Sequence, residues 1–168
     1  MQFFSPRKLC PGLGGAALFA GLALALGLGG VARAQAVPAV VRIAAPPVHA
    51  RTYSGATAIF RVEVENGYHI QSHHPVEDYL IPTRLTIAPA AGIALVGIKW
   101  PPAVQQRFSF SQKPLTVFQG TFNLPIRLKT GPGGDYVLHG IFAYQACTDQ
   151  VCRPPVQQPF TIEVIVAK

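Results

Sequence analysis

Cys147 and Cys152 are the residues of this chain best suited to chemistry, and four residues separate them. Thiols this close in sequence can form a disulfide, exchange it with another protein, or bind a soft metal ion. The third cysteine, Cys10, lies in an amino-terminal segment that we expect to be removed during export. An exported domain that keeps two neighbouring cysteines is expected to join them in a disulfide.

A purely structural role is the first alternative for this pair. Closing the six-residue loop from Cys147 to Cys152 would remove only about 2 kcal/mol of unfolded-state entropy on the chain-entropy model. We expect a long strand to run into Cys147 and a short turn to lead to Cys152, so a hairpin already closes the loop. The bond would then constrain little that the fold does not, which favours a functional disulfide over a staple.

His69, His73 and His74 form a second candidate cluster. Imidazoles and thiolates are ligands for copper and zinc, so a periplasmic metal-binding module is an alternative function. A solvated loop after the Asn66-Gly67 turn also explains these histidines, and we favour it. Met1 is the only methionine, so a copper chaperone would lack its usual thioether ligands. We therefore expect no metal ion and no other cofactor.

The elements that position the cysteines are strands. Apolar and polar residues alternate with a period of two in three segments, which is typical of strands with one buried face. The strong segments are residues 57–65, 115–128 and 160–166, and the weaker ones are 37–43, 80–87, 93–98 and 135–147.

Turn signals such as Asn66-Gly67 and the glycine-rich residues 131–134 separate these segments. This pattern predicts an all-β protein, an immunoglobulin-like antiparallel β-sandwich, in a single domain. Pro82 and Pro125 fall inside strand patterns, so we expect them at sheet edges or bulges.

The first 34 residues have the parts of a secretory signal peptide. Arg7 and Lys8 precede an uncharged apolar stretch that ends at the small-x-small site Ala32-Arg33-Ala34. We expect cleavage there, which leaves a periplasmic domain of residues 35–168 that is not bound to a membrane. An uncleaved anchor is the alternative, because the apolar stretch is almost long enough to span a bilayer.

The remaining charges exclude several classes of function. Removal of Arg7, Lys8 and Arg33 lowers the formal net charge from +7 to +4, and the other basic residues are scattered. Nucleic-acid binding needs a basic patch or stripe, so we expect no such partner and a monomer that is merely well solvated. The sequence also has no Gly-x-Ser-x-Gly motif of serine hydrolases and no phosphate-binding loop.

Three motifs carry a resemblance to a known family. They are residues 67–75 (Gly-Tyr-His-Ile-Gln-Ser-His-His-Pro), residues 79–83 (Tyr-Leu-Ile-Pro-Thr), and residues 144–155, where Tyr-Gln-Ala-Cys is followed by Cys-Arg-Pro-Pro. In order and spacing they resemble the amino-terminal periplasmic domain of the thiol:disulfide interchange protein DsbD. The resemblance extends over most of residues 35–168, and the cysteine block is its most specific part.

The resemblance implies an immunoglobulin-like sandwich in which Cys147 and Cys152 are the redox pair, with Cys152 as the sulfur that is attacked. It also implies an aromatic cap that shields the pair. By position, this cap is the segment of residues 107–110, with Phe108 and Phe110 as the shielding side chains. Ordinary core positions are an equally good interpretation of these two phenylalanines.

Three further residues are implied to support the redox pair. Tyr144 belongs to the cysteine motif, while His69 and Gln71 lie where the family places aromatic residues beside its active site. The connection between Cys147 and Cys152 is one residue shorter than in the best-known family member.

The resemblance therefore predicts a thiol:disulfide oxidoreductase that passes electrons between a reductant and disulfide partners in the periplasm. Thioredoxin-like periplasmic proteins are the expected partners. DsbD supplies this domain from a membrane-embedded segment and a thioredoxin-like domain, neither of which is present here, so a separate membrane protein is the expected electron donor. A disulfide-stapled interaction domain remains a third alternative to the redox and metal-binding functions.

Overall fold

The computed structural model describes residues 39–168, so the expected signal peptide and its cleavage site lie outside the described residues. The described chain forms strands joined by turns and contains no helix. In chain order the strands are β1 (Val41–Ala44), β2 (Val48–Arg51), β3 (Gly55–Val64), β4 (His69–Gln71), β5 (Arg84–Ile87), β6 (Ile93–Ile98), β7 (Val104–Gln106), β8 (Leu115–Phe118), β9 (Thr121–Thr130), β10 (Gly134–Tyr144), β11 (Ala146–Cys147) and β12 (Val156–Ala167).

The first sheet has the strand order β1-β3-β9-β6, and its strand pairs are antiparallel. The alternation predicted for residues 57–65 is confirmed in β3, where every second side chain is buried. The same holds in β9. The inward residues of these two strands include Ala58, Phe60, Val62, Val64, Leu124, Ile126 and Leu128.

The second sheet has the order β2-β12-β10-β5. Strands β10 and β12 pair antiparallel along almost their whole length, from Gly134 opposite Val166 to Tyr144 opposite Val156. The prediction of antiparallel strands needs one correction, because β2 pairs with β12 in parallel.

The two sheets pack face to face around one apolar core. Phe60 of the first sheet contacts Phe142 and Phe160 of the second, with ring centroids 5.4 and 4.6 Å apart. Aromatic and branched side chains from both inner faces fill this main core. The predicted immunoglobulin-like β-sandwich is therefore confirmed.

A third, smaller sheet extends one end of the sandwich, with the order β11-β4-β8-β7. It contains the first cysteine, at the end of β11, and two predicted site residues, at the two ends of β4. This sheet positions the candidate site.

Two segments that were each predicted to be one strand are divided, and one part of each belongs to the third sheet. Residues 115–128 do not form one strand: β8 ends at Phe118, and β9 begins at Thr121 in another sheet. Gly120 makes the break with a positive φ of 64°, and its carbonyl accepts a hydrogen bond from the Val64 amide. Residues 135–147 break in the same way at Gln145, so β10 does not run into Cys147 as predicted.

One of the two prolines expected at sheet edges or bulges differs from expectation. Pro82 lies outside the strands, two residues before β5 begins. Pro125 lies in β9, an interior strand, opposite Ile59 of β3. It is tolerated because β6 ends at Ile98, and beyond that end the Lys99 amide donates to the Pro125 carbonyl. The position is thus a local edge within an interior strand.

Residues 39–168 contain no helix that is both long enough and apolar enough to cross a membrane.

Candidate functional site

Cys147 and Cys152 are joined in a disulfide at the tip of a tight hairpin, with Cα atoms 3.9 Å apart. The two residues pair antiparallel across the hairpin. Backbone hydrogen bonds of 2.8 Å flank them, from Arg153 N to Ala146 O and from Thr148 N to Val151 O. The short turn expected between the cysteines is therefore present.

The turn is fixed by its own first residue. The Thr148 hydroxyl accepts hydrogen bonds from the backbone amides of Gln150 and Val151, at 3.3 and 3.2 Å. A threonine side chain that replaces a backbone acceptor in this way stabilises a short connection. The loop between the sulfurs is thus ordered without help from the disulfide.

The third sheet separates the site from the main core. Ile70, Phe118 and Ala146 lie on one face of it and belong to the main core. Because side chains alternate along strands, the neighbouring residues His69, Gln71, Val117 and Cys147 lie on the other face. There the apolar side chains of Leu80, Phe108, Leu115 and Val117 form a second, small core. Cys147 therefore lies on the same face of the third sheet as this small core, together with the buried polar residues His69 and Gln71.

The two cysteines differ in exposure. Cys147 is completely buried, whereas Cys152 is partly exposed. An attacking thiolate must reach a sulfur along the direction of the S–S bond, so access decides which sulfur reacts. The burial makes Cys152 the accessible end of the bond.

His69 lies directly opposite Cys147 in the β4–β11 pair. Its side chain is buried and stacks on the Phe108 ring, with centroids 4.2 Å apart. Burial lowers the pKa of His69 below 6.5, against an opposing influence from the Asp149 carboxylate. The His69 Nε2 atom is buried and has no hydrogen-bond partner among the described residues.

Gln71 contacts the disulfide itself. Its side chain is fully buried, and Nε2 donates to the Cys147 Sγ atom at 3.9 Å. The Gln71 Oε1 atom has no hydrogen-bond partner in the described part of the chain. On its backbone side, the Thr83 hydroxyl donates to the Gln71 carbonyl, which fixes β4 at this point.

The predicted cap segment, residues 107–110, reaches the site from the loop after β7. Phe108 is buried in the small core, and Phe110 stacks on it with centroids 5.3 Å apart while remaining 40% exposed. Between them, the Ser109 hydroxyl donates to the Asp149 carbonyl at 3.2 Å. The segment is therefore tied both to His69 and to the turn between the cysteines.

Tyr144, the remaining predicted supporting residue, belongs to the main core, where its ring lies 5.5 Å from Phe142. Burial raises its pKa above 10, and the nearby Arg153 opposes this rise. Among the described residues, Tyr144 makes no contact with either sulfur of the kind that Gln71 makes with Cys147.

Sequence reasoning assigned no role to Arg153 or Tyr68, although both fall within the quoted motifs. Arg153, the residue after the second cysteine, donates to the Tyr68 hydroxyl at 2.6 Å and lies over that ring, 4.8 Å from its centroid. This contact holds the exit of the cysteine loop against the residue that precedes β4.

The three histidines are divided between two places. His73 stacks on Trp100 with centroids 4.7 Å apart and lies 4.3 Å from the His74 ring, whereas His69 packs on Phe108. Within residues 39–168, no group of three histidine, cysteine, aspartate or glutamate side chains is placed to hold a metal ion. The stack at His73 was not predicted, and the only hint of it in the sequence is Trp100, its single tryptophan.

The family model described as "Thiol:disulfide interchange protein DsbD, N-terminal" matches residues 38–163 of this chain, and this match decides the family. The chain belongs to this family. The resemblance described from the motifs is thereby confirmed, and membership in the DsbD amino-terminal family supports thiol-disulfide interchange as the chemistry of the disulfide.

Solved structures of similar proteins include other amino-terminal domains of this kind. The amino-terminal periplasmic domain of ScsB from Proteus mirabilis is 14% identical with a TM-score of 0.48, and the match covers 73% of this chain and 44% of that one. The reduced DsbD amino-terminal domain of Neisseria meningitidis is 20% identical with a TM-score of 0.44, covering 70% and 82%.

A third structure is the complex between the DsbD and PilB amino-terminal domains of Neisseria meningitidis. It is 16% identical with a TM-score of 0.44, and the match covers 76% of this chain and 87% of that one. No curated protein matches the chain in sequence.

Proposed function

We propose that this domain is a periplasmic thiol:disulfide oxidoreductase that passes electrons through the Cys147–Cys152 pair. The observation that carries the proposal is the unequal burial of the two cysteines, with Cys147 fully buried and Cys152 partly exposed at a hairpin tip. A staple would be served equally well by two buried sulfurs. An exchange reaction needs one sulfur that an incoming thiolate can reach.

The proposed reaction begins when a thiolate of the reductant attacks Cys152 Sγ. A bond forms between these two sulfurs, the Cys147–Cys152 bond breaks, and the electron pair remains on Cys147 as a thiolate. A second thiol of the reductant then resolves the mixed disulfide, releasing Cys152 as a thiolate. The reductant is oxidised to a disulfide and the domain is reduced to a dithiol, which can pass its electrons to a disulfide partner by the reverse steps.

The segment of residues 107–110 is proposed to shield the pair between reactions. Phe108 covers His69 beside Cys147, and Ser109 is bonded to the turn between the cysteines. Phe110, at the outer end, stacks on Phe108 and is 40% exposed. A partner that displaces this segment would uncover the disulfide at the moment of docking.

Thioredoxin-like periplasmic proteins are the proposed partners, since family membership supports exchange between protein thiols. A membrane protein is the proposed electron source, because DsbD feeds this domain from a membrane-embedded segment. The periplasmic location is supported by the signal-like residues 1–34. The mass of the exported chain tests it, and we expect a chain that begins at Gln35.

Trapping of the mixed disulfide tests the proposed reaction. In the variant Cys147→Ser, the accessible Cys152 thiolate should form a mixed disulfide with a thioredoxin-like domain that lacks its resolving cysteine and carries its remaining cysteine as a mixed disulfide with thionitrobenzoate, which leaves as the thiolate anion. In the matched variant Cys152→Ser, the buried Cys147 should form it far more slowly. Equal trapping by both variants, or trapping by neither, would contradict the proposal.

A further inference from the structure

A buried glutamine is the unusual feature of the small core. Gln71 lies opposite Val117 on the face of the third sheet that also carries His69 and Cys147, and it has no exposed surface. A buried amide that leaves one of its polar atoms without a partner costs stability, commonly about 1–3 kcal/mol. The Gln71 Oε1 atom is in this state within the described structure. An apolar residue of the same length would suit the packing better.

Within the described structure, the side-chain amide of Gln71 has one polar contact, and its partner is the sulfur of Cys147, an atom of the reacting disulfide. Its Nε2 donates to Cys147 Sγ at 3.9 Å. A disulfide sulfur is a weak acceptor, so this contact contributes little while the bond is intact. A thiolate at the same position is a strong acceptor, and the same N–H group would then make a charge-assisted hydrogen bond.

The reaction creates such a thiolate in an unfavourable place. Attack at Cys152 leaves the electron pair on Cys147, which is fully buried on the face of the third sheet that also carries Val117. Burial of this kind disfavours the charged form of a thiol and makes it a poorer leaving group. His69 lies opposite, where burial disfavours its protonated form, while the Asp149 carboxylate lies on the adjoining turn. Neither group supplies a positive charge to the leaving sulfur.

We propose that Gln71 is a catalytic residue of the exchange reaction, whose amide N–H stabilises the thiolate that leaves on Cys147. This inference rests on the proposed function, because it assumes that Cys152 is attacked. In the step concerned, the reductant's sulfur bonds to Cys152, the Cys147–Cys152 bond breaks, and the Cys147 sulfur receives the electron pair as Gln71 Nε2 closes on it. No proton needs to move during this step, and the Cys147 thiolate is protonated afterwards from solvent.

The thiolate pKa of Cys147 tests the inference directly. It can be read from the ultraviolet absorbance of the thiolate in Cys152→Ser protein, with and without the additional change Gln71→Met. Loss of a hydrogen bond to a charged group should raise this pKa by about one unit or more. In protein with both cysteines, Gln71→Met should slow reduction by a thiol roughly three- to tenfold.

Gln145→Met is the matched control. Gln145 is a half-buried glutamine two residues before Cys147, but its Nε2 donates to the Arg153 carbonyl at 3.0 Å rather than to sulfur. This change should leave the Cys147 pKa unaltered. A merely structural role for Gln71 would lower the melting temperature without moving the Cys147 pKa, so the two readouts separate the roles.

The outcomes distinguish this inference from the proposed function. If the unchanged protein exchanges readily and Gln71→Met alters neither the Cys147 pKa nor the rate, Gln71 is not catalytic and the proposed function stands. If the unchanged protein does not exchange with thiols at all, the proposed function itself fails. Should Gln71→Met not fold, Gln71→Leu removes the N–H donor with another apolar side chain. A Cys147 pKa that is not raised in that variant would overturn the inference.

Discussion

His69 lies directly across the β4–β11 pair from Cys147, and its ring stacks on Phe108 at a centroid distance of 4.2 Å. One side chain thus links the buried sulfur to the segment that covers it. The arrangement connects access to the disulfide with the packing of Phe108 and with the protonation of His69.

Replacement of Phe108 should expose the disulfide. In Phe108→Leu, the stacking on His69 is lost and the segment of residues 107–110 is held less firmly, so reduction by dithiothreitol should accelerate about threefold or more. Phe118→Leu is the matched control, because Phe118 is equally buried but lies on the opposite face of the same sheet. Both variants should lose stability. Equal reduction rates in the two variants would show that Phe108 does not shield the pair.

Acid should destabilise the domain through His69. Burial lowers the pKa of His69 in the folded state below its unfolded value near 6.5, so the unfolded chain binds more protons as the pH falls. Stability should therefore be complete above pH 6.5 and should decline as the pH falls through 6.5 to the folded pKa. His73, whose pKa burial and His74 also lower, acts in the same direction.

Urea unfolding at a series of pH values measures this decline. His69→Phe keeps a ring stacked on Phe108 but cannot take up a proton, so its stability should decline less between pH 7 and 5 than that of the unchanged protein. A decline of the same size in both proteins would mean that His69 is not responsible.

The histidines should not form a tight metal site in the oxidised protein. His69 and His73 stack on different aromatic rings, and both sulfurs are consumed by the disulfide. Calorimetry with copper or zinc ions should detect no sub-micromolar binding. Tight binding that disappears in protein carrying His73→Ala plus His74→Ala would make metal binding the better explanation of this cluster.

The sequence was sufficient for the parts of the fold that depend on local pattern. Alternation predicted which residues of β3 face inward, and the two cysteines needed only a short turn to meet. It was insufficient where strands change sheets, because the glycine at the first break, Gly120, lies inside an alternating pattern and the second break, at Gln145, has no glycine or proline to mark it. A continuous alternating pattern over residues 115–128 conceals such a break.

The identities of several site residues could be predicted from the sequence, but the contacts between them could not. Resemblance pointed to Gln71 and Phe108, whereas the hydrogen bond from Gln71 to Cys147 joins residues 76 positions apart and depends on the register of β4 against its neighbours. Register of this kind is set by tertiary packing. For the same reason, the contact of Tyr68 with Arg153 could not be inferred from either motif alone.

Removal of both sulfurs should separate stability from function. The turn between the cysteines is already held by the Thr148 side chain and flanking backbone hydrogen bonds. Protein with Cys147→Ser plus Cys152→Ser should therefore fold, with a melting temperature only a few degrees lower, and should fail to exchange with any thioredoxin-like donor. Thermal unfolding followed by circular dichroism checks the first result. A double variant that does not fold would identify the disulfide as a staple.

The reduction potential of the Cys147–Cys152 couple tests the central claim most directly. It is measured by equilibrating the domain with graded ratios of reduced and oxidised glutathione or dithiothreitol and counting free thiols at each ratio. Structural disulfides in exported proteins commonly lie below about −300 mV, whereas disulfides that exchange with thioredoxin-like proteins lie higher. We predict a potential above roughly −300 mV with reversible cycling. A bond that resists reduction below that value would contradict the assignment of Cys147 and Cys152 as a redox pair.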